Sequence, residues 1–219
     1  MATMPVQWAM PHIPAVPDLP AARPLDQLAA CTRCDDLQEQ FQQLRQSHPA
    51  YWNRPVAASG HAAASLLVVG LAPGMHGANR TGRPFTGDAS GDLLFAMLDE
   101  FKLRRRVRIT NALKCLPFRN APTAGQLGAC RPFLAGELQQ HLGRPGRVVL
   151  ALGKVAHDNI LRAMGHRLAD RPFGHGTVYP LSGGTLISSY HCSRYNTQTG
   201  RLTEDMFRGI FGRVLEHLP

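Results

Sequence analysis

The sequence of 219 residues has no long hydrophobic run and few acidic residues. No stretch approaches the roughly 20 apolar residues of a membrane-spanning helix, so we expect no membrane partner. The amino terminus lacks the basic-then-apolar order of a secretion signal, and we therefore expect a cytoplasmic protein. Only 15 Asp and Glu residues oppose 24 Lys and Arg residues, which leaves a net charge of +9. Such a surplus attracts polyanions, of which phosphate backbones are the commonest.

The densest cationic segment is 102–108, where five of seven residues are Lys or Arg. This segment is either an electrostatic footprint for nucleic acid or a solvated face of the fold. Charge density alone leaves both interpretations open.

The hydrophobic content of 44% is ordinary for a globular protein, and the length suits one packed domain. Six prolines fall within the first 24 residues. Proline favours extended chain, so the sequence predicts an arm over residues 1–24 and one domain over residues 25–219.

Short apolar runs alternate with segments of helical periodicity. The runs predict buried strands at residues 65–70, 107–113, 147–152 and 185–190. Helices are predicted at about residues 25–46, 92–101, 123–141, 154–164 and 203–217, with Ser90 and Thr123 as candidate caps. This order predicts an α/β fold: a single domain with a central four-stranded parallel sheet and helices on both faces.

In parallel sheets of this kind, ligands bind beyond the carboxyl ends of the strands. We therefore expect the chemistry in the four segments that follow the predicted strands. These are residues 71–92, 114–119, 153–156 and 191–201.

Five cysteines in a chain without an export signal are expected to be thiols rather than disulfides. Cys31 and Cys34 form a C-x-x-C pair, and Cys115 and Cys130 follow with 14 residues between them. Four thiolates can hold zinc or a 4Fe–4S cluster, and ligand type does not separate the two. Unrelated packing cysteines are the third alternative. The fifth, Cys192, follows a histidine and is either a nucleophile or an apolar support.

The loop at residues 70–91 contains six glycines, which let backbone approach a ligand closely. It lacks the lysine of a P-loop, and its glycine spacing is not that of a dinucleotide fingerprint. Phe85 in this loop is either a core plug or a stacking platform for a planar ring. Asp88 is either a helix cap or a catalytic carboxylate.

Four motifs together resemble those of the family-5, type B uracil-DNA glycosylases. They are GLAPG at 70–74, GANRTGRPFTGDASG at 77–91, TNALKC at 110–115 and SYHCSRYNTQTGRL at 189–202. The resemblance extends over roughly residues 25–216. Cys31, Cys34, Cys115 and Cys130 match the ligands of that group's iron–sulfur cluster in order and spacing.

The resemblance implies a DNA glycosylase of base-excision repair that carries a 4Fe–4S cluster. Such an enzyme would hydrolyse the N-glycosidic bond of uracil, and of hypoxanthine and xanthine. The sequence places no lysine or amino-terminal amine to form a Schiff base, so we expect no lyase activity. The partner of such an enzyme would be DNA containing these bases. We expect a monomer associated with a bacterial nucleoid.

The resemblance also implies roles for individual residues. Phe85 would stack on the flipped base, and Asn111 would contact its edge. His191 would donate a hydrogen bond to the base O2, and Asp88 would position water or balance the charge on the sugar. Ala72, Gly74 and Asn79 would bind the base, whereas Arg80, Asn196, Thr197 and Arg201 would contact DNA.

Two positions depart from related patterns. Leu71 stands where the family-4 enzymes have a glutamate, which leaves Asp88 as the candidate carboxylate. Cys192 stands where family 5 usually has proline, so the loop that aims His191 loses a rigid residue. Two other functions remain open: a non-catalytic iron–sulfur DNA-binding sensor, and a small-molecule hydrolase that uses Cys192 and His191.

Overall fold

The structure is a computed structural model that describes residues 25–219. The predicted proline-rich arm, residues 1–24, lies outside the described residues. A sheet of six strands runs through the molecule in the order β1-β3-β2-β4-β6-β5. The strands are β1 Ser59–Gly60, β2 Leu66–Gly70, β3 Val107–Asn111, β4 Arg147–Leu152, β5 Val178–Leu181 and β6 Gly184–Ser189.

The four predicted strands are the central β3, β2, β4 and β6, and these four pair in parallel with one another. The short strands β1 and β5 pair antiparallel at the two edges. The predicted parallel strands therefore form the centre of the sheet, but the prediction missed the two edge strands that make it a mixed sheet of six strands. The sequence hides the edges because β1 has two residues and β5 contains Pro180, which lacks an N–H and suits only an edge.

Seven α-helices lie among the described residues. They are α1 Asp35–Ser47, α2 Ala78–Thr81, α3 Ala89–Glu100, α4 Ala124–Leu142, α5 Lys154–Ala163, α6 Arg194–Gln198 and α7 Glu204–His217. Short 3-10 turns occupy Leu25–Leu28, Phe118–Asn120 and Leu168–Asp170. The short helices α2 and α6 were not predicted, since each lies in a segment rich in glycine or polar residues. None of the described helices has the length and apolar character needed to cross a membrane.

Side chains of β2 alternate between the two faces of the sheet. Leu67 and Val69 belong to a core cluster that includes residues of α1, α4 and α5. Leu66 and Val68 belong to a second cluster with residues of α3 and α7. Both faces are therefore covered, which confirms the prediction of helices on both sides.

Side-chain caps fix where the helices begin. Thr123 caps α4 as predicted, and Gln126 completes a capping box by accepting from the Thr123 backbone. The predicted cap of α3, Ser90, is wrong because Asp88 caps that helix two residues earlier. The predicted helical stretch at 25–46 is interrupted, and Cys31 and Cys34 lie in the interruption.

The cationic segment 102–108 lies before β3 and at its start, hence at the amino edge of the parallel strands. The Arg104 guanidinium lies 4.2 Å from the Phe95 ring centre and donates to Asp99 over 2.6 Å. Arg106 donates to the main-chain oxygen of Pro219. These contacts favour the interpretation as a solvated face, because ligands bind at the opposite edge of such a sheet.

Candidate active site

An open cleft of about 830 Å³ lies at the carboxyl edge of the central strands. The segments that follow β2, β3, β4 and β6 all contribute to its lining, as the parallel topology predicts. The lining includes eight of the predicted site residues: Ala72, Gly74, Phe85, Asp88, Asn111, His191, Asn196 and Arg201.

The Phe85 ring forms part of the cleft wall. Its residue has a φ of +54°, in the left-handed region, and is only 7% exposed. The ring stacks on that of His191, with 6.0 Å between the centres and 28° between the planes. A Cβ at Gly70 would lie 2.5 Å from the Phe85 ring, so glycine is required behind it. Phe85 is thus buried like a core residue and also lines the cleft.

Asn111 is the last residue of β3 and is 3% exposed. Its side-chain oxygen Oδ1 is buried without a hydrogen-bond partner among the described residues. An unpaired buried acceptor costs about 1–3 kcal/mol, so the site gains when a ligand donates to it. The amide offers a donor beside the acceptor, and its orientation is an assignment from hydrogen bonding. The Asn111 amide can therefore pair with a planar ligand whose edge carries both a hydrogen-bond donor and an acceptor.

Asp88 uses one carboxylate oxygen to begin α3. Oδ1 accepts from the Gly91 N–H over 2.9 Å, which confirms the capping alternative. Oδ2 points toward the glycine loop, where a Cβ at Gly77 would overlap it and one at Gly74 would lie 3.6 Å away. Asp88 lines the cleft, and its second carboxylate oxygen is not used by the cap. A catalytic role for this oxygen therefore stays a prediction.

His191 lies deep in the cleft, on the segment that follows β6. Burial lowers its pKa to about 4, and the opposing charge of Asp88 recovers only part of the shift. The imidazole is therefore neutral at pH 7, with one N–H donor and one acceptor nitrogen. Asn196 Nδ2 donates to the main-chain oxygen of His191 over 2.8 Å and so holds this segment in place.

Cys192 is 1% exposed, and its side chain packs in the core cluster shared with α3 and α7. Burial raises the pKa of its thiol to about 12. The thiol donates to the main-chain oxygen of Ser90 over 3.4 Å, which ties the His191 segment to the start of α3. A protonated, buried thiol is a poor nucleophile, so this geometry favours the supporting role.

Three predicted site residues lie outside the cleft lining. Asn79 is fully buried and donates to the Asn53 side chain over 2.9 Å, which places it behind the glycine loop. Arg80 is exposed and donates to the main-chain oxygen of His76. The Thr197 hydroxyl donates to the main-chain oxygen of Arg194, within α6. Their predicted roles remain predictions, and burial makes direct base contact by Asn79 the least supported.

An aromatic wall that the sequence reasoning missed completes the cleft. The rings of Phe173 and Tyr190 lie 6.1 Å apart, and the Arg201 guanidinium lies 4.9 Å from the Tyr190 ring centre. Tyr190 could have been found, because it is the last residue of a predicted strand and directly follows the observed strand β6. Phe173 lies in an irregular loop before β5, where no periodicity or motif marks it.

The four cysteines predicted as ligands line one small cavity. All five cysteines are free thiols, as predicted. Burial raises the pKa of the Cys130 thiol to about 11. Burial also raises the pKa of Cys115, and the negative charge of a neighbouring Cys130 thiolate raises it further. No group of three or more His, Cys, Asp or Glu side chains in residues 25–219 is arranged to hold a metal ion.

The sequence that builds this sheet and cleft is similar to that of a known class of protein. Residues 57–214 match the family model described as the uracil DNA glycosylase superfamily. Within this superfamily, the chain belongs to the type-5 uracil-DNA glycosylases. The family prediction and the prediction of a DNA N-glycosylase, a hydrolase, are both confirmed.

Two relatives carry this assignment. The type-5 uracil-DNA glycosylase of Thermus thermophilus is 46% identical over 171 residues, covering 72% of this chain and 77% of the relative. That of Mycobacterium leprae is 39% identical over 201 residues, covering 83% and 87%. The solved structure of wild-type SMUG2 from Pedobacter heparinus covers 81% of this chain and 82% of its own, with a TM-score of 0.47 and 13% identity.

Proposed function

We propose that the cleft takes up one uracil base flipped out of DNA and that water then displaces it. The observation that carries the proposal is the unpaired, buried amide oxygen of Asn111 in the cleft wall. A uracil edge offers an N–H beside a carbonyl oxygen, which complements an amide. Phe85 supplies a planar surface beside it, and a cleft of about 830 Å³ has room for a nucleotide.

Breaking the bond between C1′ and the base leaves positive charge on the sugar and negative charge on the base. A catalyst gains most from donors at the base oxygen and an anion near the sugar. The neutral His191 can donate its N–H to the base O2 as charge develops there. Asp88 Oδ2 can balance the sugar cation or orient the water whose oxygen bonds to C1′.

We extend the proposal to hypoxanthine and xanthine. Leu71 supplies no carboxylate to the cleft, so catalysis relies more on stabilising the departing base. A mechanism that stabilises the leaving group accepts any base that leaves as an anion. The open cleft also has room for a purine.

The reaction is proposed to stop at base removal. A lyase step needs a free amine near C1′. Lys154 lines the cleft, but its Nζ pairs with Asp158 over 2.6 Å, and Lys114 is fully buried. The DNA would therefore keep an intact strand with an abasic site. We also propose that the enzyme acts as a monomer at the nucleoid of a bacterial cell.

A panel of oligonucleotides tests this proposal. Each carries a single uracil, hypoxanthine or xanthine, and chromatography measures the free base. We expect release of all three and strand breaks only after alkali. Release of uracil alone would contradict the broader range, and breaks without alkali would contradict the monofunctional reaction. DNA binding without any release would favour the sensor.

We further propose that Cys31, Cys34, Cys115 and Cys130 hold a 4Fe–4S cluster. The support is that the four thiols line one cavity and that the Lys114 N–H donates to Cys130 Sγ over 3.3 Å, a contact typical of cluster ligands. The cluster would supply a structural link between the segment before α1, the segment after β3 and α4. We expect broad visible absorption and about four iron atoms per chain. A colourless protein with one zinc would contradict it.

A further inference from the structure

Lys114 is a lysine with no contact to solvent, between the candidate active site and the candidate cluster. Its side chain is fully buried, and Glu137 of α4 is 3% exposed. The ammonium group donates to Glu137 Oε2 and Thr110 Oγ1, each over 2.6 Å. Its third hydrogen bond, over 2.8 Å, goes to the main-chain oxygen of Asn111. All three donors of the ammonium are therefore used inside the protein.

The main-chain N–H and carbonyl oxygen of Lys114 are also both hydrogen-bonded. Its N–H donates to Cys130 Sγ, and its carbonyl oxygen accepts from the Val56 N–H over 2.7 Å. The residue is thus fixed from α4 and from the segment before β1. Through its side chain, it fixes the end of β3 in turn.

A buried ion pair is weak evidence for stability, because the cost of removing two charges from water offsets their attraction. Apolar residues of similar size would fill the same space at little or no cost. A pair with such a cost can still be retained for the geometry that its directed hydrogen bonds impose. The group on which this pair acts is the main-chain carbonyl of Asn111. The side-chain oxygen of the same residue has no hydrogen-bond partner within residues 25–219 to anchor it.

We propose that the Lys114–Glu137 ion pair positions Asn111 for reading the base. Both side chains are buried and neither lines the cleft, so the pair acts through Asn111 and is a positioning element. Glu137 orients the ammonium, and the ammonium holds the Asn111 carbonyl so that the amide faces the cleft. This inference rests on the proposed function of the same cleft.

A double-mutant cycle tests the inference. Lys114→Met with Glu137→Leu removes both charges together, so no unpaired charge remains buried. The paired change is made in the wild-type chain and in an Asn111→Ala chain, and single-turnover uracil release is measured in all four. We expect a loss of about 10–100-fold in the wild-type background. In the Asn111→Ala background, the loss should be less than about 2-fold, because the group being positioned is absent.

Equal losses in both backgrounds, or no loss in either, would overturn the inference. Thermal unfolding and iron content are measured on each variant, because a merely structural role would change these and leave the cycle additive. Leu161→Ala, a buried change in α5 on the same face of the sheet, is the matched control and should give equal effects in both backgrounds. If the apolar pair does not fold, Lys114→Gln with Glu137→Gln enters the same cycle. Absence of uracil release by the wild-type chain would count against the proposed function instead.

Discussion

Asp88 caps α3 and also places a carboxylate oxygen in the cleft, and a substitution by alanine would not separate these two roles. Its Oδ1 caps α3 through the Gly91 N–H, whereas Oδ2 lies in the cleft beside the glycine loop. Alanine removes the cap and the charge together. Asparagine caps helices as well as aspartate does but carries no charge.

We predict that Asp88→Asn lowers single-turnover uracil release about 10²–10³-fold without a change in melting temperature. Asp88→Ala should lower the rate as far and also cost about 1 kcal/mol of stability through the lost cap. Rates come from base release and stability from thermal unfolding. An unchanged rate in Asp88→Asn would remove the carboxylate from the mechanism and leave it as a cap only.

His191 gives the enzyme a specific pH dependence. Burial lowers its pKa from 6.5 to about 4, so the ring stays neutral through the physiological range. We predict a rate of uracil release without a titration step near pH 6.5. A step there that His191→Gln abolishes would show a protonated ring at work and contradict the neutral donor.

The lowered pKa of His191 also makes the free energy of unfolding depend on pH. Below pH 6.5 the unfolded chain takes up a proton at His191, whereas the folded chain does not until about pH 4. His141, whose pKa burial lowers to about 4, adds to the effect. The free energy of unfolding should therefore fall as the pH drops from 6.5 towards 4. Denaturant titrations at several pH values check this, and greater stability at the lower pH would contradict it.

At the scale of elements, the end of β2 determines whether the cleft can form. Gly70 leaves space for the Phe85 ring and the Asn111 amide, since a Cβ there would lie 2.5 Å from each. The glycine therefore serves close packing, because its backbone lies within a regular strand. The positions of the Phe85 and Asn111 side chains therefore both require that residue 70 has no side chain.

We predict that Gly70→Ala displaces both side chains and lowers the rate of uracil release by about 10²-fold or more. The free energy of unfolding should fall by about 1–3 kcal/mol. Gly209→Ala is the matched control. Apart from the backbone of α7 itself, no atom of the described part of the chain lies within 4 Å of a Cβ added there. Gly209→Ala should therefore raise the free energy of unfolding by about 0.5–1 kcal/mol and leave the rate unchanged. Normal activity in Gly70→Ala would show that the cleft tolerates the shift.

Elements with strong local signals were predictable, and those that depend on tertiary contacts were not. The run at Leu66–Gly70 is apolar and short, so it indicates a buried strand without further information. The motifs predicted Asn111 and His191 in one site, because Asn111 ends β3 and His191 follows β6 in the same parallel part of the sheet. The Lys114–Glu137 pair has no such signal, since its members lie 23 positions apart in the sequence and charged residues normally indicate surface.

At the scale of the whole molecule, the position of the positive charge matters more than its amount. The dense segment 102–108 lies at the amino edge of the sheet, whereas Arg194 and Arg201 line the cleft at the carboxyl edge. DNA that delivers a base to the cleft must pass close to the second group. The net charge of +9 raises encounter rates generally and does not place the substrate.

We predict that Arg201→Ala weakens binding to DNA and reduces the slope of log K against log salt by about one. Arg105→Ala removes the same charge from the opposite edge and should change the slope little. Fluorescence anisotropy with a labelled duplex over a range of salt concentrations measures both. A larger effect for Arg105→Ala would place the DNA on the other side of the sheet.

The most direct test of the account is the single-turnover rate of uracil release from a defined oligonucleotide. The wild-type chain should release free uracil, and Asn111→Ala and His191→Ala should each lower the rate by about 10²–10³-fold while remaining folded. Cys192→Ala should stay within a few-fold of wild type, because its thiol only supports the loop. A wild-type chain that releases no uracil, or full activity without the Asn111 amide, would contradict the assignment of the cleft.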